Sequence, residues 1–212
     1  MSEYMVRNVI LDFGNVLGTF DKHTACEKLA AYSKTKGSAE IYDFFVGSKL
    51  ETLLESGAID EQAFAVQLIS SIDASHLSNE KCLEIWSDIF KSNPGMTNLL
   101  TDLRRRGVAL AVLSTTNAAH WPYIQKLDTI QLLESWDVPF ILSHQEKAIK
   151  PAVKLYVAAL AALGCAAHEA VFVDDIPENV EAARKLGMAG IEYNCTKDSL
   201  DYLRDSLSRV FS

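Results

Sequence analysis

The sequence predicts an α/β protein with a doubly wound parallel sheet and an inserted bundle of helices. From about residue 93 onward, short apolar runs alternate with amphipathic helical patterns, as is typical of parallel sheets covered by helices. The stretch from about 22 to 91 has helical periodicity and no strand pattern. We therefore expect an α/β core formed by residues 1–18 and 93–212, with a helical cap formed by residues 19–92.

Composition restricts the classes of protein to which this chain can belong. Its 212 residues suit one large domain or a medium domain with an insertion, and 49% of them are hydrophobic, enough for a sizeable core. The net charge of −8 argues against sequence-independent binding of nucleic acids, which needs a basic surface. A small anionic substrate is compatible with this charge, since a bound metal ion can reverse the local field.

The sequence shows no targeting segment and no cysteine motif. No apolar stretch is long enough to span a bilayer, and residues 1–7 lack the layout of a signal peptide. The four cysteines form no CxxC pair, which argues against zinc and thioredoxin-like sites; they are Cys26, Cys82, Cys165 and Cys195. We expect reduced thiols, a cytoplasmic location and no membrane partner.

The first strand is predicted over residues 9–11, with Asp12 directly after it. Gly14 and Asn15 follow, two residues that tolerate sharp backbone turns. In an open α/β sheet, ligands bind beyond the carboxyl ends of the strands, which is where Asp12 would lie. Taken alone, an Asp at this position is equally typical of a turn.

The predicted cap consists of about four short helices. Asp60 is a good N-cap after a break at 56–60, and Ser78 opens a further helix whose apolar side includes Trp86 and Phe90. Because this block shows no strand pattern, we expect a helical bundle that packs on itself and on the core. Loops 17–22 and 92–95 would be the hinges.

After residue 95 the predicted strands and helices alternate in order. Glycines follow three of the helical patterns and predict their ends: Gly107, Gly164 and Gly187. The predicted elements are a helix at 96–106, strands at 108–113 and 140–142, a helix at 151–163, a strand at 171–173, a helix at 178–186, a weak strand at 190–193 and a helix at 199–211.

Polar residues stand at or just beyond the predicted strand ends, and their order resembles the haloacid dehalogenase superfamily of hydrolases. The matching segments are Asp12-Phe13-Gly14-Asn15-Val16, Leu113-Ser114-Thr115-Thr116-Asn117, Lys150-Pro151 and Phe172-Val173-Asp174-Asp175-Ile176-Pro177-Glu178-Asn179. The first motif is most similar to that of bacterial sugar-phosphate (α-D-glucose-1-phosphate) phosphatases. Segment 54–59 resembles one common in the helical caps of this superfamily.

The resemblance implies a phosphoryl-transfer site that contains a magnesium ion. Asp12 would attack phosphorus and form an aspartyl-phosphate, and Lys150 would neutralise the charge of both groups. The implied Mg²⁺ ligands are Asp12, the carbonyl of Gly14 and Asp175, while Asp174 is a ligand or holds a metal-bound water. Two adjacent carboxylates after a buried strand repel each other unless a cation or donors lie near.

The same resemblance implies that Ser114, the backbone N–H of Thr115, and Asn15 bind the substrate. Two of the residues that the resemblance places in the site have a simpler interpretation. Ser114 is a suitable helix cap, and a lysine such as Lys150 is by default a solvated side chain. His120 follows the second motif and is given no chemical role.

Position 14 departs from the pattern of the superfamily, whose phosphatases usually carry a second Asp there as general acid and base. Gly14 cannot serve in that role, and such assistance is commonly about 10²–10⁴-fold. One interpretation is a phosphatase for a hexose 1-phosphate, whose anomeric leaving oxygen needs less proton donation than an ordinary alcohol. In this interpretation Asp21 or His23 would supply a proton. The alternatives are a 2-haloacid dehalogenase or a catalytically weakened regulatory protein that binds a phosphorylated ligand.

We therefore predict a Mg²⁺-dependent hydrolase of a small phosphorylated metabolite, with Mg²⁺ as its cofactor. A 2-haloacid dehalogenase needs no metal, so the pair Asp174 and Asp175 argues against that alternative. The survival of Asp12 and Lys150 argues against a purely regulatory protein. The oligomeric state, monomer or dimer, is left open by the sequence.

Overall fold

The computed structural model describes residues 6–212 of the chain. Residues 1–7 were predicted to lack the layout of a signal peptide, and most of them lie outside the described residues. Within them, the strands are β1 (Asn8–Leu11), β2 (Gly18–Phe20), β3 (Phe90–Ser92), β4 (Ala109–Ser114), β5 (Phe140–Leu142), β6 (Ala170–Asp174) and β7 (Ala189–Glu192). The main sheet has the order β5-β4-β1-β6-β7 and all its pairings are parallel. The predicted α/β class with a doubly wound parallel sheet is confirmed.

Helices cover both faces of this sheet and also form the block between β2 and β3. They are α1 (Lys22–Ala30), α2 (Ser38–Gly47), α3 (Leu50–Glu55), α4 (Glu61–Ser71), α5 (Asn79–Ser87), α6 (Met96–Arg105), α7 (Trp121–Ile124), α8 (Asp128–Glu134), α9 (Ser143–Glu146), α10 (Val153–Leu163), α11 (Pro177–Lys185) and α12 (Leu200–Val210). Helices α7, α8 and α9 occupy stretches in which no helix was predicted.

Two apolar clusters lie on opposite faces of the sheet because side chains alternate along each strand. Val9 and Leu11 of β1 pack with residues of α6, α8 and α12 on one face. Ile10 of the same strand packs with Leu155 and Tyr156 of α10 on the other. With both faces buried, β1 is held at the centre of the sheet and the position of the residue after it is fixed.

Helices α1 to α5 bury a third apolar cluster of their own. The fully buried Trp86 of α5 stacks on Phe45 with ring centroids 4.2 Å apart and also contacts Phe64. Asp60 and Ser78 accept hydrogen bonds from Ala63 N and Lys81 N and therefore cap α4 and α5, as predicted.

The prediction of a purely helical insertion without strands was wrong at both of its ends. Strand β2 lies in the predicted hinge loop 17–22, and it pairs antiparallel with β3, which ends at the first residue of the predicted hinge loop 92–95. Helix α5 ends at Ser87, so Phe90 belongs to β3 rather than to the apolar side of a helix. Strands of three residues are too short to show a reliable alternation, and the apolar Phe90 continued the helical pattern by coincidence.

Two further properties concern the environment of the protein. All four cysteines are free thiols. Among residues 6–212, no helix combines the length and the apolar character that crossing a membrane requires.

Candidate active site

The predicted polar residues meet at the carboxyl edge of the sheet. Asp12 directly follows the central β1, and its backbone N–H donates to the carbonyl of Val173 in β6 at 2.9 Å. Asp174 ends β6, and Thr115 directly follows β4 on the other side of β1. Lys150 precedes α10, and its backbone N–H donates to Thr115 Oγ1 at 3.3 Å. Residues distant in sequence therefore share one site because their strands are neighbours.

The ammonium group of Lys150 lies between two carboxylates. Its Nζ is 2.6 Å from Asp12 Oδ1 and 2.7 Å from Asp174 Oδ2, and the Lys150 side chain is 3% exposed. Burial alone would lower the pKa of Lys150, but the two carboxylates outweigh it and raise the pKa above its ordinary value. Lys150 is thus a buried, permanently charged cation at the site rather than a solvated loop lysine.

Asp12 is a buried carboxylate with an unusual pKa. Burial raises the pKa of Asp12 to about 7, and the nearby Asp174 adds to the rise, while Lys150 opposes both. Burial leaves the Asp12 carboxylate weakly solvated, which disfavours its charged form, and Lys150 is the strong partner that favours it. Such a group is suited to attack an electrophile at short range.

Asp174 is fixed by donors on every side. Its side chain is fully buried, and Asn179 Nδ2 lies 3.1 and 3.2 Å from its two oxygens. The backbone N–H of Ile176 donates to Oδ1 at 2.8 Å. With Lys150 on Oδ2, both oxygens of Asp174 already accept hydrogen bonds within the protein. Asn179, the last residue of the fourth matching segment, therefore holds this carboxylate in place.

Asp175 points into the cavity and is oriented by two amides. Asn15 Nδ2 donates to Asp175 Oδ2 at 2.9 Å, and Asn194 Nδ2 lies 3.3 Å from the same oxygen. Asn15 itself has a φ of 53°, and its carbonyl accepts from Cys195 N at 2.8 Å. Partial burial raises the pKa of Asp175 above its ordinary value. Asn194 was not recognised from the sequence because it follows the weak last strand without a motif.

The carboxylates of Asp12, Asp174 and Asp175 form a suitable donor set for a divalent cation. One ligand atom from each lies within 4.8 Å of the others. Hard oxygen ligands with room for water are the coordination that Mg²⁺ prefers, and the cavity beside Asp12 and Asp175 leaves room for water. The residues present therefore fit a magnesium ion.

The segment after β4 presents Thr115 and Thr116 to the cavity, whereas Ser114 is 2% exposed and does not line it. The backbone N–H of Thr116 donates to Ser143 Oγ at 2.9 Å. The structure thus brings Asp12, Asn15, Thr115, Lys150 and Asp175 to one cavity surface and leaves Ser114 behind it.

Two residues considered as proton donors lie elsewhere. Both carboxylate oxygens of Asp21 are used to cap α1, through His23 N and Thr24 Oγ1 at 3.0 Å each. His23 stacks on Tyr42 with ring centroids 4.1 Å apart. Neither Asp21 nor His23 lines the cavity at the strand ends.

The cavity has a volume of about 500 Å³ and lies between the helical block and the sheet edge. One part of its wall is apolar, formed by Phe13, Phe20, Ile89, Phe90 and Ile124. The helical block adds charged side chains to another part, namely Lys22, Glu51 and Glu55. The sequence placed Glu55 in a recognised segment, but gave no signal that its carboxylate reaches the site.

Comparison with known proteins identifies relatives along nearly the whole chain. Residues 12–192 match the family model described as haloacid dehalogenase-like hydrolase. The sesquiterpene phosphatase astK of Aspergillus oryzae is 26% identical over 184 residues, which cover 86% of this chain and 87% of that protein. A phosphorylated carbohydrates phosphatase of Thermotoga maritima is 26% identical over 113 residues, 53% of this chain and 51% of that protein.

A solved structure shows the same fold. It is a haloacid dehalogenase family enzyme from Bacteroides thetaiotaomicron in complex with magnesium and inorganic phosphate, with a TM-score of 0.79 and 21% identity. The match covers 93% of this chain and 98% of that one. Since the family model spans well over half of the sequence and the strand-end residues meet as its chemistry requires, the chain belongs to the haloacid dehalogenase-like hydrolase family.

Proposed function

We propose that this protein is a Mg²⁺-dependent phosphomonoester hydrolase that acts through an aspartyl-phosphate on Asp12. The observation that carries the proposal is the buried Lys150 ammonium, 2.6 Å from Asp12, at the edge of a cavity that also contains Asp175. A buried cation beside a carboxylate nucleophile reduces the repulsion that an incoming phosphate dianion would meet.

Each residue of the site has a separate role in phosphoryl transfer. Asp12 attacks phosphorus in line with the leaving oxygen, and water later hydrolyses the resulting acyl phosphate, which releases phosphate and restores Asp12. Lys150 and the Thr115 N–H face the phosphoryl oxygens. A bound Mg²⁺, held by Asp12, Asp175 and the carbonyl of Gly14, would supply the remaining charge neutralisation. Because both oxygens of Asp174 already accept hydrogen bonds, we assign it to a metal-bound water rather than to the ion.

The leading substrate class is a small sugar phosphate such as a hexose 1-phosphate. Its anomeric leaving oxygen needs less proton donation than an ordinary alcohol, which suits Gly14 in place of an acid. The Thermotoga relative, a phosphorylated carbohydrates phosphatase, supports this class. We further propose that the helical cap supplies specificity and excludes water when it closes on the core.

A second substrate class is favoured by the apolar wall of the cavity. Side chains such as Phe20, Phe90 and Ile124 would contact an apolar organic group more favourably than a sugar. The Aspergillus relative is named for a sesquiterpene substrate, which is apolar. A phosphate ester of an apolar alcohol is therefore the competing candidate.

Phosphate release from sugar 1-phosphates, sugar 6-phosphates and prenyl monophosphates, with and without Mg²⁺, tests the proposal. We expect metal-dependent turnover that is lost in Asp12→Asn, while Asp21→Asn, an exposed helix cap, retains it. Preference for the prenyl esters would favour the apolar class over sugars. Absence of turnover on every ester would overturn the phosphatase proposal. In that case, halide release from a 2-haloacid that persists with a chelator would indicate a dehalogenase. Tight binding of phosphate without any turnover would indicate a regulatory protein.

A further inference from the structure

The site has a glycine at position 14 and therefore no proton donor there. A Cβ built on Gly14 would lie 3.2 Å from Phe20 Cε1 and 3.7 Å from Asp12 Oδ2. The ring of Phe20 in β2 therefore lies against the nucleophile loop at this position and would have to shift slightly to admit a side chain. Any acid that assists the leaving group must come from another part of the cavity wall.

Five carboxylates line the cavity within the described residues: Asp12, Glu51, Glu55, Asp175 and Glu178. Asp12 is the nucleophile, and Asp175 is held by two amides for the metal. Glu51 forms an ion pair with Lys22 at 2.6 Å, and Glu178 is exposed at the start of α11. Glu55 remains, and its carboxylate has no ion pair or hydrogen bond to any residue from 6 to 212.

The backbone around Glu55 is fastened to the core. Ser143 Oγ lies 2.7 Å from the carbonyl oxygen of Glu55 and 2.8 Å from that of Thr116, either of which can accept its proton, and it accepts from Thr116 N at 2.9 Å. Two residues further on, Lys147 Nζ donates to the carbonyl of Gly57 at 3.1 Å. One hydroxyl thus joins the end of α3 to the loop that follows β4, which fixes Glu55 relative to the phosphoryl-binding segment.

We propose that Glu55, a residue of the helical cap, is the general acid and base of this enzyme; the proposal rests on the phosphomonoesterase function proposed above. In the first step the Asp12 oxygen bonds to phosphorus, the bond to the leaving oxygen breaks, and that oxygen takes the proton of Glu55. In the second step water gives a proton to the Glu55 carboxylate as its oxygen bonds to phosphorus. The bond from phosphorus to Asp12 then breaks, which restores both carboxyl groups.

The charges around Glu55 suit this double role. Burial and the neighbouring Glu51 raise the pKa of Glu55 to about 7, while Lys22 and Lys150 act in the opposite direction. An acid that must later act as a base works best when its pKa is near the operating pH. Glu51 on the same helix, Lys22 on α1 and Lys150 in the core are the charged groups that act on it.

The test compares Glu55→Gln with wild type, Asp12→Asn and Glu84→Gln, an exposed cap variant, on two esters. One is p-nitrophenyl phosphate, whose leaving oxygen needs no proton, and the other is a hexose 6-phosphate, whose alcohol does. We expect Glu55→Gln to lose about 10²–10⁴-fold in kcat on the sugar ester. On the nitrophenyl ester it should release one equivalent of nitrophenolate in a burst, retain phosphate on Asp12 and then turn over slowly.

A second readout is the pH dependence of the rate of phospho-enzyme hydrolysis. In wild type this rate should fall as the pH drops below neutral, because Glu55 becomes protonated, and in Glu55→Gln this fall should be absent. If Glu55→Gln behaves like Glu84→Gln, or if both esters lose the same factor through KM without a burst, the role of Glu55 is overturned while the phosphatase proposal stands. If wild type shows no Mg²⁺-dependent turnover and Asp12→Asn changes nothing, the proposed function itself fails.

Discussion

Replacing Lys150 by Met should strongly destabilise the fold. Met keeps most of the aliphatic stem but removes the charge, which leaves Asp12 and Asp174 buried beside each other without their shared cation. Loss of one partner from a buried ion pair costs about 3–5 kcal/mol, a large part of the roughly 5–15 kcal/mol that stabilises a typical domain. The mutant should therefore fold only marginally.

Urea unfolding at pH 7.5 with a chelator present measures this loss, since no divalent cation can then replace the ammonium. With a slope of about 2 kcal/mol per molar urea, the midpoint should fall by about 1.5–2.5 M. Lys154→Met is the matched control, because the Lys154 side chain is 55% exposed. Its Nζ lies 3.6 Å from Glu146 Oε2 and donates to the Glu146 carbonyl, and such surface pairs contribute about 0–1 kcal/mol. A Lys150→Met midpoint equal to that of the control would refute the reasoning.

Two further predictions concern pH and the contact between cap and core. Burial, with a smaller effect of Lys22, lowers the pKa of His120 to about 3, so the unfolded state binds the extra proton below about pH 6.5. Between pH 7 and pH 5, the free energy of unfolding of wild type, measured by denaturant titration, should therefore fall by about 2 kcal/mol more than that of His120→Gln. Parallel curves for the two proteins would contradict this. Gly57 has a φ of +64°, and a Cβ added there would lie 2.4 Å from the carbonyl oxygen of His144. Gly57→Ala should therefore lower turnover, and it should lower the free energy of unfolding by more than about 1 kcal/mol. Gly47→Ala, at a helical position with no atom within 4 Å, should leave turnover unchanged and should not lower the free energy of unfolding; equal losses in the two variants would contradict the contact.

Much of the sheet and its polar edge could be predicted because the signals are local. Apolar β1 followed by Asp12 needs only a few adjacent residues to recognise, and Gly164 at a φ of 65° ends α10 as expected. Strand ends that are far apart in sequence converge because parallel pairing dictates it. The ribbon of β2 and β3 escaped prediction because three residues per strand carry no measurable period.

The cap contribution to the site could not be predicted for a different reason. Ser143 and Glu55 are 88 residues apart, and their contact depends on how one helical block docks on another element. A sequence pattern shows that Glu55 belongs to α3, but only the packed structure shows that Glu55 lines the same cavity as Asp12 and that its carboxylate has no ion pair or hydrogen bond to residues 6–212. The same holds for Asn194, which orients Asp175 from the loop after β7.

The proposed location of the acid has a mechanistic consequence. An Asp at position 14 would belong to the same loop as Asp12 and would be in place whatever the position of the cap. Glu55 reaches the cavity only while α3 is docked on the core, where Ser143 binds its carbonyl. Proton transfer would then require the closed state, so closing the cap would both exclude water and complete the catalytic set. Chemistry and closure would then depend on the same contacts between cap and core, those of Ser143 with Glu55 and of Lys147 with Gly57.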